Sequence, residues 1–350
     1  MRVLVTGHQG YLGTVMVPVL QQAGHEVVGL DTGLFATPVV GPKPDDPAGI
    51  NVDLRDVTAD DLQGFEAVVH LAALSNDPLG ALDPELTYDI NHRAATRLAT
   101  LARDVGVKRF LYASTCSVYG ASGTDEAVGE DAPMRPVTPY AESKVRVEDD
   151  LVALADDDFT PVMLRNATAF GFSPRLRCDI VLNNLVGHAL LTGKVMVMSD
   201  GTPWRPLVHA ADIATAFAAA LEAPRDDVHA QAFNIGSDAN NARVSQIADA
   251  VAEAVPGARI EITGEAGGDP RSYRVDFTKV GRALPQWTAS WSIPDGAHEL
   301  VEAYGTHGLD EVAFERDQVR LKRLQARIDH GEVGTDLRPV AASARRSLQG

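Results

Sequence analysis

Through the first half of the chain, short apolar runs rich in β-branched residues alternate with longer stretches in which apolar positions recur every three to four residues. The runs at residues 2–6, 26–30, 67–71 and 109–113 predict strands, and their unbroken apolar character suits strands buried on both faces of a sheet. Helical spacing over 11–23 and 82–105 fills intervals between them. This alternation predicts the α/β class with a doubly wound parallel sheet. Residues 161–165 and 232–235 continue the strand pattern, whereas 244–254 and 295–304 read as amphipathic helices of a smaller C-terminal lobe. The expected division is a first domain over 1–165, to which strands from about 205–236 return. A lobe from 166–204 and 237–308 follows, then a C-terminal helix and extension over 309–340, and a frayed tail over 341–350.

From about Leu309 the pattern changes to a charged helix in which Val312, Val319, Leu321, Leu324 and Ile328 are set among acidic and basic residues. Its basic stretch, 316–327, can be read as an anion patch, but a solvated helix face or a subunit contact is the favoured reading. Composition adds limits. With 350 residues, 45% of them hydrophobic and 23% charged, the chain can bury a sizeable core, as two domains or one large α/β unit with an appended lobe. The formal charge of −17 excludes a dedicated binder of nucleic acid or anionic membrane, so an anionic ligand must meet specific arginines. No run approaches the roughly 18 apolar residues of a membrane span, and MRVLVTGHQG reads as a strand entering a turn rather than a signal peptide. A cytoplasmic protein is expected. Cys116 and Cys178 are too few for a disulfide framework or a structural zinc site, and neither His-x-x-x-His nor Cys-x-x-Cys occurs, so no metal is expected.

The first strand runs directly into TGHQGYLG, where Gly7, Gly10 and Gly13 have the spacing Gly-x-x-Gly-x-x-Gly at the start of a helical pattern. Glycines in that position permit a tight strand-to-helix turn and let the backbone, here including Gln9, Tyr11 and Leu12, approach a pyrophosphate at the helix N-terminus. Asp31 closes the second strand about 20 residues on, where a carboxylate accepts hydrogen bonds from adenosine ribose hydroxyls and repels a 2′-phosphate. The expected cofactor is therefore NAD rather than NADP. Asp53 and Leu54 are placed to bracket an adenine ring. Leu71, Ala72 and Ala73 end a buried strand in small residues, as a cofactor lying across that edge requires.

The strand RFLYAS ends in Ser114, Thr115, Cys116 and Ser117, and after a polar loop TPYAESK supplies Tyr140 and Lys144. Tyr-x-x-x-Lys on a helix puts both side chains on one face. A nearby ammonium stabilises the phenolate, drawing the tyrosine down from about 10 toward working pH so that it accepts a substrate hydroxyl proton. A hydroxyl from Thr115 or Ser114 can hold the same substrate oxygen.

Together TGHQGYLG, HLAAL, STCSVYG and YAESK resemble the extended short-chain dehydrogenase/reductase family, and within it the NAD-dependent nucleotide-sugar epimerases and dehydratases, over residues 1 to about 300. The resemblance implies a Rossmann-like NAD-binding domain with a smaller substrate-binding lobe, tightly held NAD, and transient oxidation of a sugar hydroxyl, usually at carbon 4. It makes Tyr140 the base, gives Lys144 to the nicotinamide ribose and Thr115 to the substrate oxygen, and matches Asn91 to an asparagine that supports the active-site helix and its water. Dehydratases of this family usually carry Asp-Glu after the threonine, because removing water needs an acid and a base. Here Cys116 and Ser117 stand there, which favours epimerisation at carbon 4. Cys116 leaves two readings open: a thiol that shuttles a proton next to a transient ketone, giving 3- or 5-epimerisation or an unusual elimination, or a small buried strand-end residue.

On the substrate side, LRNATAFGFSPRLRCD resembles the loop where nicotinamide meets sugar, with Asn166 on the substrate and Phe170 on the cofactor side. By the same resemblance Ser75, Asn183 and Asn184 line the substrate, and Arg205 and Arg271 clamp its diphosphate, a task suited to planar bidentate donors. His209 orders its loop. The implied partner is a nucleotide-diphosphate sugar and the implied assembly a homodimer. A dehydratase or a net dehydrogenase on the same oxidation step is the catalytic alternative. An NAD-binding sensor or scaffold is the non-enzymatic one, against which the intact Thr115, Tyr140 and Lys144 set argues.

Overall fold

The computed structural model describes residues 1–75, 83–120, 126–264 and 272–340. A run such as RVLVT has almost no polar side chain to turn to water, so it is stable where a sheet is covered on both sides. Seven strands form one sheet, β3 being a short, exposed edge strand: β1 (Arg2–Thr6), β2 (Glu26–Asp31), β3 (Gly49–Asn51), β4 (Ala67–His70), β5 (Arg109–Thr115), β6 (Thr160–Asn166) and β7 (Gln231–Ile235). Their order is β7-β6-β5-β4-β1-β2-β3, with every neighbouring pair parallel. The chain moves from β1 outward to β2 and β3, then returns to the other side for β4. The reversal beside β1 opens a crevice at the carboxyl ends of the strands.

Alternation along β1 fixes the two faces. Val3 and Val5 join a cluster with Met16 and Leu20 of the helix Tyr11–Gln22 and Phe217 of the helix Ala210–Glu222. Leu4 joins the opposite cluster, with Leu98 of the helix Ala94–Asp104 and Leu151 of the helix Pro139–Leu154. A third cluster, including Phe170, Leu182, Ile247 and Leu300, unites the helices Val181–Thr192, Val244–Ala254 and Ile293–His307. A three-stranded sheet of Thr168–Phe170, Trp204–His209 and Asn241–Arg243 lies beside them.

Three differences from the sequence pattern shape the site. β5 and β6 run past the apolar limit, to Thr115 and Asn166, which pair in register at the sheet's edge. The expected helix over 82–105 is divided into Pro84–Tyr88, a wider π turn over Asp89–Arg93 and Ala94–Asp104. One extra residue per turn shifts the phase of the pattern and brings Asn91 inward, where it is buried. The charged C-terminal helix is also broken, into a π turn over Ala313–Asp317 and a helix over Arg320–Asp329. Between them the Gln318 carbonyl accepts the Cys178 N–H at 2.9 Å, and the Gln318 amide donates to the Pro38 carbonyl at 3.3 Å. Arg320, expected on a solvated face, is 5% exposed. The tail 341–350 lies outside the described residues. Among the described residues no helix is long and apolar enough to cross a membrane, and no group of three His, Cys, Asp or Glu side chains is placed to hold a metal ion.

Candidate active site

A cavity of about 1000 Å³ follows the carboxyl ends of β1, β2, β4, β5 and β6. At one end Gly7, Gln9, Gly10, Tyr11, Leu12 and Gly13 line it. Gly7 has φ +75°, and a Cβ there would meet the Ala72 nitrogen at 2.7 Å; at Gly13 a Cβ would meet the Gly7 carbonyl at 2.3 Å. Only glycine lets these two backbones approach so closely. The helix Tyr11–Gln22 starts at Gly10 with no side chain capping its first turn. The positive end of its dipole is therefore turned to the crevice, a setting for a pyrophosphate.

Asp31 stands at the tip of β2, its carboxylate accepting the Gln9 N–H at 3.0 Å and the Gly33 N–H at 2.9 Å. Those bonds fix the carboxylate at the cavity wall. Asp53 also lines the cavity beside Leu54, but Arg55 engages both of its oxygens, Nε at 2.9 Å and Nη2 at 2.7 Å. Burial works against the Asp53 charge, and the Arg55 hydrogen bonds outweigh it, holding the carboxyl below its usual range. Leu71, Ala72 and Ala73 form the middle of the wall, with Ser75 beyond them. Asn91 lies behind this segment rather than in the cavity: its side chain accepts the Leu74 N–H at 2.8 Å and donates to the Leu74 carbonyl at 3.0 Å. The glycine cradle, the fixed carboxylate and the small-residue wall together fit a dinucleotide.

The far end carries the candidate reactive groups. Thr138 caps the helix Pro139–Leu154 by accepting the Ala141 N–H at 3.2 Å, which sets Tyr140 in the first turn and Lys144 one turn on, both lining the cavity. Lys144 Nζ donates to the Ala113 carbonyl at 2.8 Å and lies 5.8 Å from the Tyr140 ring centre. Burial pulls Lys144 down to about 7, with Glu148 acting in the opposite direction. Across from them Thr115 lines the cavity and its hydroxyl accepts the Ser117 N–H at 3.1 Å. Ser114 also lines it, with its hydroxyl donating to Glu148. Asn166 donates to the Ser114 carbonyl at 3.3 Å, and its amide oxygen is buried with no partner among the described residues. A buried acceptor left open beside Thr115 is where a ligand hydroxyl or a water completes the bonding.

Cys116 is not part of this surface. The turn Cys116–Tyr119 that follows β5 rotates its thiol into the core, where it donates to the Arg165 carbonyl at 3.1 Å, and burial pushes its pKa up. Ser117 lines the cavity instead. Of the two readings left open for Cys116, the geometry gives the packing residue. Phe170 is likewise fully buried, edge-on to His209 at 5.2 Å, and does not line the cavity. Asn183 is buried too; its amide holds Gly171 and the Arg177 carbonyl, so it shapes the loop rather than touching the cavity. Asn184 and Arg205 do line the cavity. Arg271 lies outside the described residues. His209 caps the helix Ala210–Glu222 by accepting the Ala211 N–H at 3.1 Å and pairs with Glu299 at 2.8 Å.

Sequence reasoning gave several wall residues no individual role, although it weighed the basic stretch 316–327, which contains Arg320, as an anion patch. Arg177 donates to Asp179 at 2.8 Å and to the Ser75 hydroxyl at 3.3 Å, and both Arg177 and Asp179 line the cavity, as do Arg320 and Leu337. Beneath the floor, Glu148 and Arg165 form a buried pair with oxygen and nitrogen 2.6 Å apart. Arginine inside the apolar run PVMLRN and glutamate one helical turn after Lys144 were the available signals.

A family model described as the NAD dependent epimerase/dehydratase family matches residues 3–236. The UDP-glucose 4-epimerase of Corynebacterium glutamicum is 30% identical, over 87% of this chain and 97% of that protein. The UDP-glucose 4-epimerase of Mycolicibacterium smegmatis is also 30% identical, over 87% of this chain and 98% of that protein. The solved structure of MoeE5 in complex with UDP-glucuronic acid and NAD is similar with a TM-score of 0.75 at 29% identity, covering 87% of this chain and 99% of that one. The glycine turn, the Asp31 carboxylate and the helix with Tyr140 and Lys144 thus stand in a chain that belongs to the NAD dependent epimerase/dehydratase family.

Proposed function

We propose that the protein is a nucleotide-sugar epimerase that inverts carbon 4 of its sugar through transient oxidation, with NAD retained between turnovers. The observation that carries this reading is the composition of the reactive end of the cavity. Tyr140, Lys144 and Thr115 supply an oxidation site, while the two positions after Thr115 hold no acid: Cys116 is turned into the core and Ser117 offers only a hydroxyl. Among the described residues the carboxylates that line the cavity are Asp31, Asp53 and Asp179, each held by other hydrogen bonds. None belongs to the strand end that carries Thr115. The similarity to two UDP-glucose 4-epimerases supports a uridine diphosphate sugar as the substrate class.

In this reading Tyr140 accepts the proton of the sugar hydroxyl and later returns it, and the Lys144 ammonium stabilises the phenolate between those events. Thr115 holds the reacting oxygen, and the open Asn166 acceptor takes a neighbouring hydroxyl. NAD, when bound, supplies the hydride acceptor and donor. Arg205, and Arg271 by resemblance, hold the diphosphate. The cofactor roles of the glycine turn, Asp31, Leu54 and the segment from Leu71 to Ala73 belong to the same proposal, with the lobe around Leu182 and Ile247 closing over the sugar.

The test is incubation with NAD and a panel of nucleotide sugars in deuterated water, followed by mass spectrometry and proton NMR. The expected product is an epimer without deuterium, since hydride returns to the same carbon. Deuterium uptake or loss of one water would overturn the 4-epimerase reading in favour of 3- or 5-epimerisation or dehydration. Homodimerisation, resting on the resemblance, is included in the proposal; light scattering at micromolar concentration is expected to give the dimer mass, and a monomer mass refutes it. A cytoplasmic setting is proposed on the two cysteines, both free thiols, which suit a reducing compartment.

A further inference from the structure

Beyond residue 236, where the family match ends, the chain crosses back over the dinucleotide end of the cavity. The segment from Gln318 to Val340 forms a strap across the loop that follows β2. The Gln318 amide donates to the Pro38 carbonyl at 3.3 Å, and Arg327 donates to the Leu34 carbonyl at 2.6 Å. Arg55 donates to the Asp336 carbonyl at 3.0 Å, and Arg338 pairs with Asp56. Leu324, Val333 and Leu337 bury themselves against Leu74, Leu34 and Phe35. Two strap residues reach the cavity itself, Leu337 and Arg320.

Arg320 is 5% exposed, yet its guanidinium makes one hydrogen bond among the described residues, from Nη2 to the Arg175 carbonyl at 3.2 Å, and lies 4.5 Å over the Phe35 ring. Its other donors have no protein acceptor among those residues. A buried cation with most of its donors unused is costly unless a ligand anion completes it. Burial and the neighbouring Arg177 lower it to about 10, with Asp179 and Asp31 acting in the opposite direction. Among the described residues each acid lining the cavity already has its partners, which leaves the anion for Arg320 to a ligand.

We propose that Arg320 is a dinucleotide-binding residue, its guanidinium donating to the NAD pyrophosphate, and that the strap carrying it retains the cofactor by walling in the adenosine end with Leu337. The inference rests on the NAD reading of the cavity. It explains retention: an enzyme that gives back each hydride it takes has no need to exchange its cofactor.

The test reads cofactor release, independent of turnover. Purified protein is loaded with NADH, chased with excess NAD, and followed by loss of bound-NADH fluorescence at several salt concentrations. Arg320→Ala is expected to release NADH about tenfold faster or more, with a shallower salt dependence, the effect of removing one charge-assisted contact to an anion. Arg320→Lys, which keeps the charge, should stay within about threefold of the unaltered protein, and Leu337→Ala should accelerate release about threefold with its salt dependence unchanged. Release from Arg320→Ala at the original rate overturns the inference, and so does equal acceleration by Ala and Lys with unaltered salt dependence, which would mark a purely structural strap. Should Arg320→Ala fail to fold, Arg320→Lys and Arg320→Gln carry the same comparison. An unaltered protein that binds no NADH overturns the NAD reading as well, whereas one that binds it and loses nothing in Arg320→Ala overturns the strap alone.

Discussion

Tyr140→Phe should lower turnover by about 10²- to 10⁴-fold, the range of a positioned general base, while leaving KM for the sugar within a few-fold. The substitution removes one oxygen and keeps the ring that lies 5.8 Å from Lys144 Nζ, so the helix and the cavity wall stay in place. The expected split between kcat and KM distinguishes chemistry from binding: a group that acts only as hydride leaves the sugar adds little to the ground-state complex. NADH release from the variant should match the unaltered protein, since the contacts proposed for the dinucleotide's phosphate end are those of the glycine turn and the strap. Steady-state kinetics with a coupled assay for the epimer gives both parameters. Turnover unchanged in Tyr140→Phe would remove Tyr140 from the role of base, and biological activity unchanged in that variant would favour an NAD-binding sensor or scaffold.

Glu148→Ala should cost about 3–5 kcal/mol of stability, because it strips a buried guanidinium of its counter-charge. Glu148 accepts from Arg165 Nε at 3.0 Å and Nη2 at 2.6 Å, and also from the Ser114 hydroxyl. After its removal Arg165 keeps the Tyr119 hydroxyl, the Glu130 carbonyl and the Met134 sulfur, none of them a full negative charge. For a chain of this length the loss corresponds to a fall in Tm on the order of 10 °C, readable by calorimetry. Pairing it with Arg165→Met should recover much of that fall, since burying neither charge is cheaper than burying one. A second readout follows from Lys144. Glu148 is the charge that raises Lys144 against the burial that lowers it to about 7. Loss of Glu148 therefore moves Lys144 lower still, and activity that needs the ammonium falls away at a lower pH. The stability linkage has the opposite slope. Between about 7 and the unfolded value near 10.4, the unfolded chain holds a proton on this lysine that the native chain lacks, so its contribution to stability improves as pH rises. An unchanged Tm and an unmoved alkaline limb in Glu148→Ala would show that neither the pair nor the linkage operates.

Features encoded by neighbouring residues were legible in the sequence. The turn at Gly7, Gly10 and Gly13 depends on spacing within one strand and one helix, and Tyr140 and Lys144 are one helical turn apart. Their joint position on one cavity follows from strand order, which β-α alternation already implies. Side-chain direction was less legible. Whether Cys116 or Ser117 meets the cavity is decided by a short turn after β5, and no periodicity reports the rotation of a four-residue turn. Phe170 and Asn183 likewise carried a family likeness to the cofactor and substrate loop, yet packing turned both inward. Least legible were wall residues supplied from far along the chain. Arg320 and Leu337 belong to a charged, weakly patterned segment, and their burial depends on a surface created by Leu34, Phe35 and Leu74 about 250–300 positions earlier.

The strap's ties join residues that lie far apart in the order of synthesis: Arg55 to Asp336 and Asp56 to Arg338, separations of 281 and 282. Among the described residues every other wall of the cavity precedes residue 309 in the chain. At translation speeds of about 5–20 residues per second, adding 309–340 takes roughly 2–6 s. The nascent chain therefore contains the described remainder of the crevice for seconds before the proposed strap exists, an interval during which a dinucleotide can enter without displacing it.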